Sequence, residues 1–251
     1  MTAAAPPIEH AADAAAAAAR VAHEEALPEP VALARGRLAT AVATAGVAGF
    51  VAIFGIVRAR RSEALDLAVT LRVQRRRRPW LDTLMAVASW PGFPPQSRII
   101  PTAIVGALWV LRFRTEAIFQ LLGWSTALVS TLVKALMRRP RPVAGTDLRV
   151  VAAPLGGSSF PSGHVITYVG TYGFVAYLAH TLVRPVWLRR AIVGGVLGLL
   201  ALVGPSRIYQ GHHWPTDVTA SYLLGTSHLV AVTVLYRWVK ERLRPGEMHD
   251  R

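Results

Sequence analysis

Apolar residues gather along this chain in long uninterrupted runs. Leu38 to Val57 holds no charged residue, and neither does Ala117 to Val133 or Val218 to Tyr236. A helix needs about 20 mostly apolar residues to cross a hydrocarbon core of about 30 Å, so each run predicts a membrane-spanning helix. Less uniform runs extend the pattern to six spans, at about 38–57, 96–113, 116–136, 162–183, 188–203 and 215–238. Arg98 and Arg112 flank the second span and can reach the headgroups along their aliphatic stems. The fifth span is short, and its Gly194, Gly195 and Gly198 predict close contact with a neighbouring helix. Between spans 1 and 2, Leu65, Leu67, Val69, Leu71 and Val73 interleave with Asp66, Thr70 and Arg72. After the basic run Arg75 to Arg78, apolar positions return at helical spacing from Trp80 to Val87, which predicts one or two amphipathic helices in the interface. Trp90 to Pro95 reads as a turn. The expected fold class is all-α: a six-transmembrane-helix bundle with interfacial amphipathic helices between spans 1 and 2, over residues 35–240. Residues 1–34 form an Ala-rich tail read as mobile, and 241–251 a basic C-terminal tail.

Composition sharpens this reading. Of 251 residues, 53% are hydrophobic and 17% charged, with a formal net charge of +14. So basic a chain raises the question of nucleic acid, but no recognition motif or aromatic platform is present. The arginines collect between apolar runs, where they meet anionic lipid headgroups. Lysines and arginines divide almost evenly between the two sets of loops, so the positive-inside rule gives no orientation. There is no cysteine, which excludes disulfides, thiolate metal sites and cysteine nucleophiles. No feature of the sequence specifies an oligomeric state.

Three polar clusters interrupt the apolar pattern: Lys134 to Pro142, Phe160 to His164, and Ser206 to Asp217. Each lies at the end of a span, and six alternating spans bring all three to one side. Lys134, Arg141 and Arg207 offer three cations to an anion, and arginine can engage two oxygens in a planar fork. Pro161-Ser162-Gly163 precedes the fourth span, where a helix start aims free N–H groups at an anion. Ser162 suits the N-cap and can donate its hydroxyl; Gly163 lets the backbone come close. Phosphoryl transfer needs a nucleophile, an acid for the leaving group and charge stabilisation. His213 and Asp217 are four apart, so a carboxylate on the first turn of the last span faces back to the imidazole, fixing its tautomer and freeing the other nitrogen to attack. His164 comes from another helix end and can protonate the leaving oxygen, then activate water.

These clusters resemble the signature of the type 2 phosphatidic acid phosphatase superfamily: Lys-x6-Arg-Pro, Pro-Ser-Gly-His, and Ser-Arg-x5-His-x3-Asp. Here they read Lys134 to Pro142, Pro161 to His164, and Ser206 to Asp217, without departure in residue type or spacing. The resemblance covers about residues 60 to 240. It implies a six-helix membrane bundle, catalysis by His213, His164 and Asp217, and phosphate binding by Lys134, Arg141, Arg207, Ser162, Gly163 and Ser206. It also implies no metal or other cofactor, inhibition by vanadate, and, in bacterial members, an active face outside the cytoplasmic membrane. The expected partners are membrane lipid and a lipid phosphate or diphosphate substrate, such as polyprenyl diphosphate, phosphatidate or phosphatidylglycerophosphate, hydrolysed through a phosphohistidine. A lipid carrier or a phosphotransferase reusing the same pocket are the alternatives.

Other polar residues have plainer readings. Arg138 and Arg139 read as headgroup anchors, as do Tyr209 and Trp214 at the interface. His180 and His228 read as interhelical hydrogen-bond partners. His212 beside His213 could suggest a metal, but adjacent side chains on an extended chain diverge and carboxylate ligands are scarce.

Overall fold

The computed structural model describes residues 29–76, 78–143, 148–150 and 156–243, with backbone alone for 29–35. Most of the Ala-rich segment, and the basic tail beyond residue 243, lie outside the described residues. Every regular element among the described residues is helical. In chain order these are α1 (Glu29–Arg58), α2 (Glu63–Gln74), α3 (Pro79–Ser89), a short 3-10 turn (Trp90–Gly92), α4 (Gln96–Val110), α5 (Arg114–Trp124), α6 (Thr126–Met137), α7 (Gly163–Leu182), α8 (Val186–Tyr209) and α9 (Pro215–Arg242). Where one or two amphipathic helices were expected after the first span, the chain forms α2 and α3, and the expected turn follows them. The first helix begins earlier than expected, at Glu29.

Local chemistry sets these boundaries. Pro79 and Pro215 occupy first turns, where the missing N–H has no helical partner to lose. The Asp217 carboxylate, at the third position of α9, accepts the Trp214 N–H at 2.9 Å and so closes the helix start. α5 and α6 meet at Ser125, whose hydroxyl turns back to the Leu122 carbonyl at 2.7 Å. α6 stops where Arg138 takes a left-handed φ of 50°.

Among the described residues, four stretches are long and apolar enough to cross a membrane: Gly36–Arg58, Arg114–Met137, Val186–Tyr209 and Pro215–Arg242. The other two expected spans differ in kind. α4 has 15 residues, a rise of about 22 Å. α7 is longer but lies inside the bundle, with Val165, Ile166, Tyr168 and Phe174 fully buried. It packs against α5, α6, α8 and α9, while α1 lies along α9. At the α5–α7 crossing the backbones nearly touch: a Cβ on Gly123 would fall 2.6 Å from the Gly170 carbonyl oxygen. The glycines of α8 do not work this way. A Cβ at Gly194, Gly195 or Gly198 would meet nothing within 4 Å, so they face outward and carry no helix contact. Leu128, Leu132 and Leu136 form an exposed apolar stripe on α6, which suits a lipid-facing surface better than water.

The bundle has two distinct ends. At one, Glu116 of α5 accepts hydrogen bonds from Tyr236 at 2.8 Å and Lys240 at 2.9 Å, both on α9. At the other meet the ends of α6 and α8, the starts of α7 and α9, and the α3–α4 turn.

Candidate active site

All three motif clusters reach this second end. The Lys134 ammonium, one turn before the end of α6, donates to the Ser158 carbonyl at 2.9 Å. Arg141 donates to the carbonyls of His212 at 2.9 Å and Ser158 at 3.3 Å, and its Nη1 stands 3.3 Å from His213 Nε2. Arg207 is 0% exposed. Its guanidinium donates to Gln210 at 2.9 Å and contacts His212 Nδ1, and it lies over the Phe93 ring at 4.9 Å. Every one of these partners is neutral. Arg207 is fully buried, and Lys134 and Arg141 are half-buried; removing a cation from water is costly, so three cations at one place make a candidate site for an anion. Donors with no partner in the protein cluster here as well: Arg141 Nε, Arg207 Nε, Ser162 Oγ and His212 Nε2.

His213 is held in one tautomer. Its Nδ1 is 2.7 Å from the Ser159 carbonyl oxygen, which can only accept, so Nδ1 carries the proton and the Nε2 lone pair faces Arg141. The sequence expects Asp217 in that orienting role; in the structure the Ser159 carbonyl is the nearer partner of Nδ1. Asp217 Oδ2 lies 3.6 Å from Nδ1, whereas Asp217 Oδ1 is 2.6 Å from Arg139 Nη1. The carboxylate therefore fastens the start of α9, and the loop carbonyl orients the ring. Burial is the main force pushing the His213 imidazole well below its usual range; the charges of Arg207, Lys134 and Arg141 add to it, and the Ser159 hydrogen bond opposes it. The same causes take His212 to about 3, with burial leading and Arg207 and Arg141 following.

His164 enters from the first turn of α7. Its ring meets Phe93 edge-on at 4.7 Å and stacks on Tyr168 at 6.3 Å. His164 lines the same groove as Lys134. One imidazole from the α8–α9 loop and one from the first turn of α7 thus reach the end of the bundle that holds the three cations, the first placed to attack a phosphorus, the second to move a proton. Ser162 is the N-cap of α7 without a side-chain capping bond; its N–H donates to Ser221 Oγ at 2.7 Å, leaving its hydroxyl unspent. Gly163 lies beside Lys134 and Ser130.

Ser206 departs from expectation. Its hydroxyl donates to the Val203 carbonyl at 2.6 Å and pairs with Ser89 Oγ at 2.7 Å, so it braces α8 against α3 rather than pointing into the pocket. Arg139 departs further. Expected as a headgroup anchor, it is nearly buried, with Nη2 2.6 Å from Asp66 Oδ2 and Nη1 2.8 Å from Thr216 Oγ1 in addition to its Asp217 bond. Asp66 also accepts the Thr216 N–H at 2.9 Å. Tyr209 is likewise buried, its hydroxyl donating to Asp82 at 2.6 Å. Arg138 is exposed, as an anchor would be. His228 does bridge helices, 2.8 Å from the Leu122 carbonyl, whereas His180 is exposed. The sequence reading missed Asp66, Phe93 and Gly92. A lone carboxylate in an apolar stretch was the available signal for Asp66; Phe93 and Gly92 carried none, because their roles arise only from packing on Arg207 and His164.

Residues 117–243 match the sequence profile of the PAP2 superfamily. The chain is 28% identical over 183 residues to the phosphatidylglycerophosphatase B of Bacillus subtilis, covering 70% of this chain and 85% of that one. It is 40% identical over 70 residues to an undecaprenyl-diphosphatase of Sulfolobus acidocaldarius, covering 27% of this chain and 29% of that one. Its fold is similar to the crystal structure of a transmembrane PAP2-type phosphatidylglycerolphosphate phosphatase from Bacillus subtilis, with a TM-score of 0.66, 22% identity, and coverage of 80% of this chain and 97% of that one.

Proposed function

The chain belongs to the PAP2 superfamily, and from that premise we propose that it is an integral-membrane phosphatase that hydrolyses the terminal phosphate of a lipid phosphate or diphosphate, without a metal, through a phosphohistidine at His213. One observation carries the reading. Three cations whose hydrogen-bond partners are all neutral converge on the end of the bundle that holds His213, whose Nδ1 proton is tied to Ser159 and whose Nε2 faces Arg141 at 3.3 Å.

In the proposed reaction, Lys134, Arg141, Arg207 and the Ser162 hydroxyl bind the phosphoryl oxygens, and the start of α7 adds N–H dipoles. The Nε2 lone pair of His213 attacks phosphorus as the bond to the lipid oxygen breaks. His164 delivers a proton to that oxygen, then accepts one from the water that cleaves the N–P bond. The alternating helix ends support six spans, α4 and α7 crossing alongside the four longer stretches, with α2 and α3 at the interface. An acyl or prenyl tail then stays in lipid while its headgroup enters the pocket. The active face is placed outside the cytoplasmic membrane, as the family resemblance implies for bacterial members.

A panel of phosphatidate, phosphatidylglycerophosphate and polyprenyl diphosphate, assayed in detergent for free phosphate, tests the reading. Release from at least one is expected. Headgroup binding without release would point to a carrier, and transfer of the phosphate to another lipid to a phosphotransferase.

A further inference from the structure

A groove of about 750 Å³ leaves the phosphate pocket between α4, α6 and α7. Its upper end is formed by Lys134, Gly163 and His164, and its lower end by apolar residues such as Leu128 and Tyr172. A route for a lipid tail alone should be apolar from the first turn. This one is not. One turn before Lys134 on α6 lies Ser130, and Thr167 of α7 and the exposed Arg98 of α4 line the same groove. Ser130 is 3% exposed, yet its hydroxyl has no partner in the protein. It does not spend itself on the helix carbonyl four residues back, as Thr131 does at 3.0 Å. Its position is fixed by the site: a Cβ built on Gly163 would sit 3.6 Å from Ser130 Oγ and 3.9 Å from Lys134 Cε. His164 Nε2 lines the same groove and is also without a partner. None of the described lining residues is acidic.

An unspent buried hydroxyl is expensive and is matched by a polar group brought in by the ligand. That group lies about one helical turn, roughly 5.4 Å, on the membrane side of the cation cluster, between the reacting phosphate and the tail. We propose that Ser130, with Thr167 and Arg98 of the same groove, forms a second subsite that holds the tail-proximal phosphate of a lipid diphosphate. This rests on the phosphatase reading above and narrows its substrate class. Attack of His213 on the terminal phosphorus breaks the bridging P–O bond. The bridging oxygen takes its proton from His164, and the lipid monophosphate is left in the Ser130 subsite. Ser130 lies outside the three motifs, so its role is separable from theirs.

The test uses the full-length chain in detergent with two substrates of one tail, farnesyl diphosphate and farnesyl monophosphate. Wild type is expected to release phosphate from both. Ser130→Ala should raise KM for the diphosphate about ten-fold, the loss expected for one hydrogen bond to a charged group, while the monophosphate KM and both kcat values stay within about two-fold. Arg98→Gln should show the same selectivity with an added dependence on salt. Equal effects on both substrates, or no effect of either variant on the diphosphate, would overturn the subsite and leave the phosphatase reading intact. If wild type released phosphate from neither lipid, the phosphatase reading would fail and the subsite with it.

Discussion

The two nitrogens of the His213 ring have different surroundings: Nδ1 is spent on the Ser159 carbonyl, and Nε2 faces Arg141, the side from which the proposed attack comes. Burial and surrounding cations hold the ring well below the usual imidazole range, which has a signed consequence. An ordinary histidine is half protonated near pH 6.5, but His213 stays neutral there, so the acid limb of kcat/KM assigned to this residue lies below about 6.5. Stability follows the same sign. Above about 6.5 neither state takes up the proton. Below it the unfolded chain does and the folded site does not, so stability falls as pH falls from 6.5 toward the lowered folded value. Urea unfolding followed between pH 5 and 8 checks the second statement. A His213→Gln variant that keeps the full pH slope would contradict it. Gly92 governs the other imidazole, because any Cβ there collides with the His164 ring. Gly92→Ala should therefore lower kcat for an alkyl phosphate by about 10²-fold, within the range of general acid catalysis, while an aryl phosphate with a good leaving group is affected far less. Equal loss on both would show that Gly92 supports something other than proton delivery. The motif residues were legible at this scale because phosphate chemistry demands their types. The Ser206 and Asp217 partners were not, since Ser89 and Arg139 reach them only through tertiary contact.

Among the elements, the Arg139 guanidinium ties three segments together: α2 through Asp66, the α6–α7 loop that carries Arg139 itself, and α9 through Thr216 and Asp217. Removing one member of such a buried pair typically costs about 3–5 kcal/mol, because the remaining charges stay buried without a partner. Arg139→Ala strands both Asp66 and Asp217 and should destabilise by that order, with loss of activity because α9 starts next to His213. Asp66→Asn should be milder, since the Thr216 N–H keeps an acceptor. A double-mutant cycle across Arg139 and Asp66 should show strong coupling; additive effects would mean that the two act independently. The helices themselves were legible from apolar periodicity, including α2, α3 and the turn before α4. The arginine was misread because Arg138 and Arg139 look alike in sequence. Only the left-handed turn at Arg138 sends the first outward and the second inward. The α8 glycines were misread for a related reason: small residues permit a close crossing, but which helix face meets a neighbour is decided by the bundle.

Across the whole molecule, exposed tryptophans mark two levels. Trp109, Trp187 and Trp238 stand toward the Glu116–Lys240 end, and Trp80 and Trp90 toward the catalytic end. Aromatic belts of this kind sit at the two membrane–water interfaces. In bilayers, single-tryptophan variants retaining Trp187 or Trp80 should be quenched more by bromines near the headgroup than by bromines deep in the acyl chain; the reverse order would contradict the two-level placement. The bundle's class was legible from run lengths alone, whereas α7 read as one more span although its surroundings are largely protein. The central claim, that His213 performs phosphoryl transfer in this pocket, is tested most directly by trapping the reaction. Purified chain in EDTA, mixed with a lipid phosphate labelled in its terminal phosphate and quenched within one turnover, should carry acid-labile label on His213, and the His213→Ala variant should carry none and turn over nothing. Label on another residue, or undiminished turnover by a folded His213→Ala protein, would contradict the account.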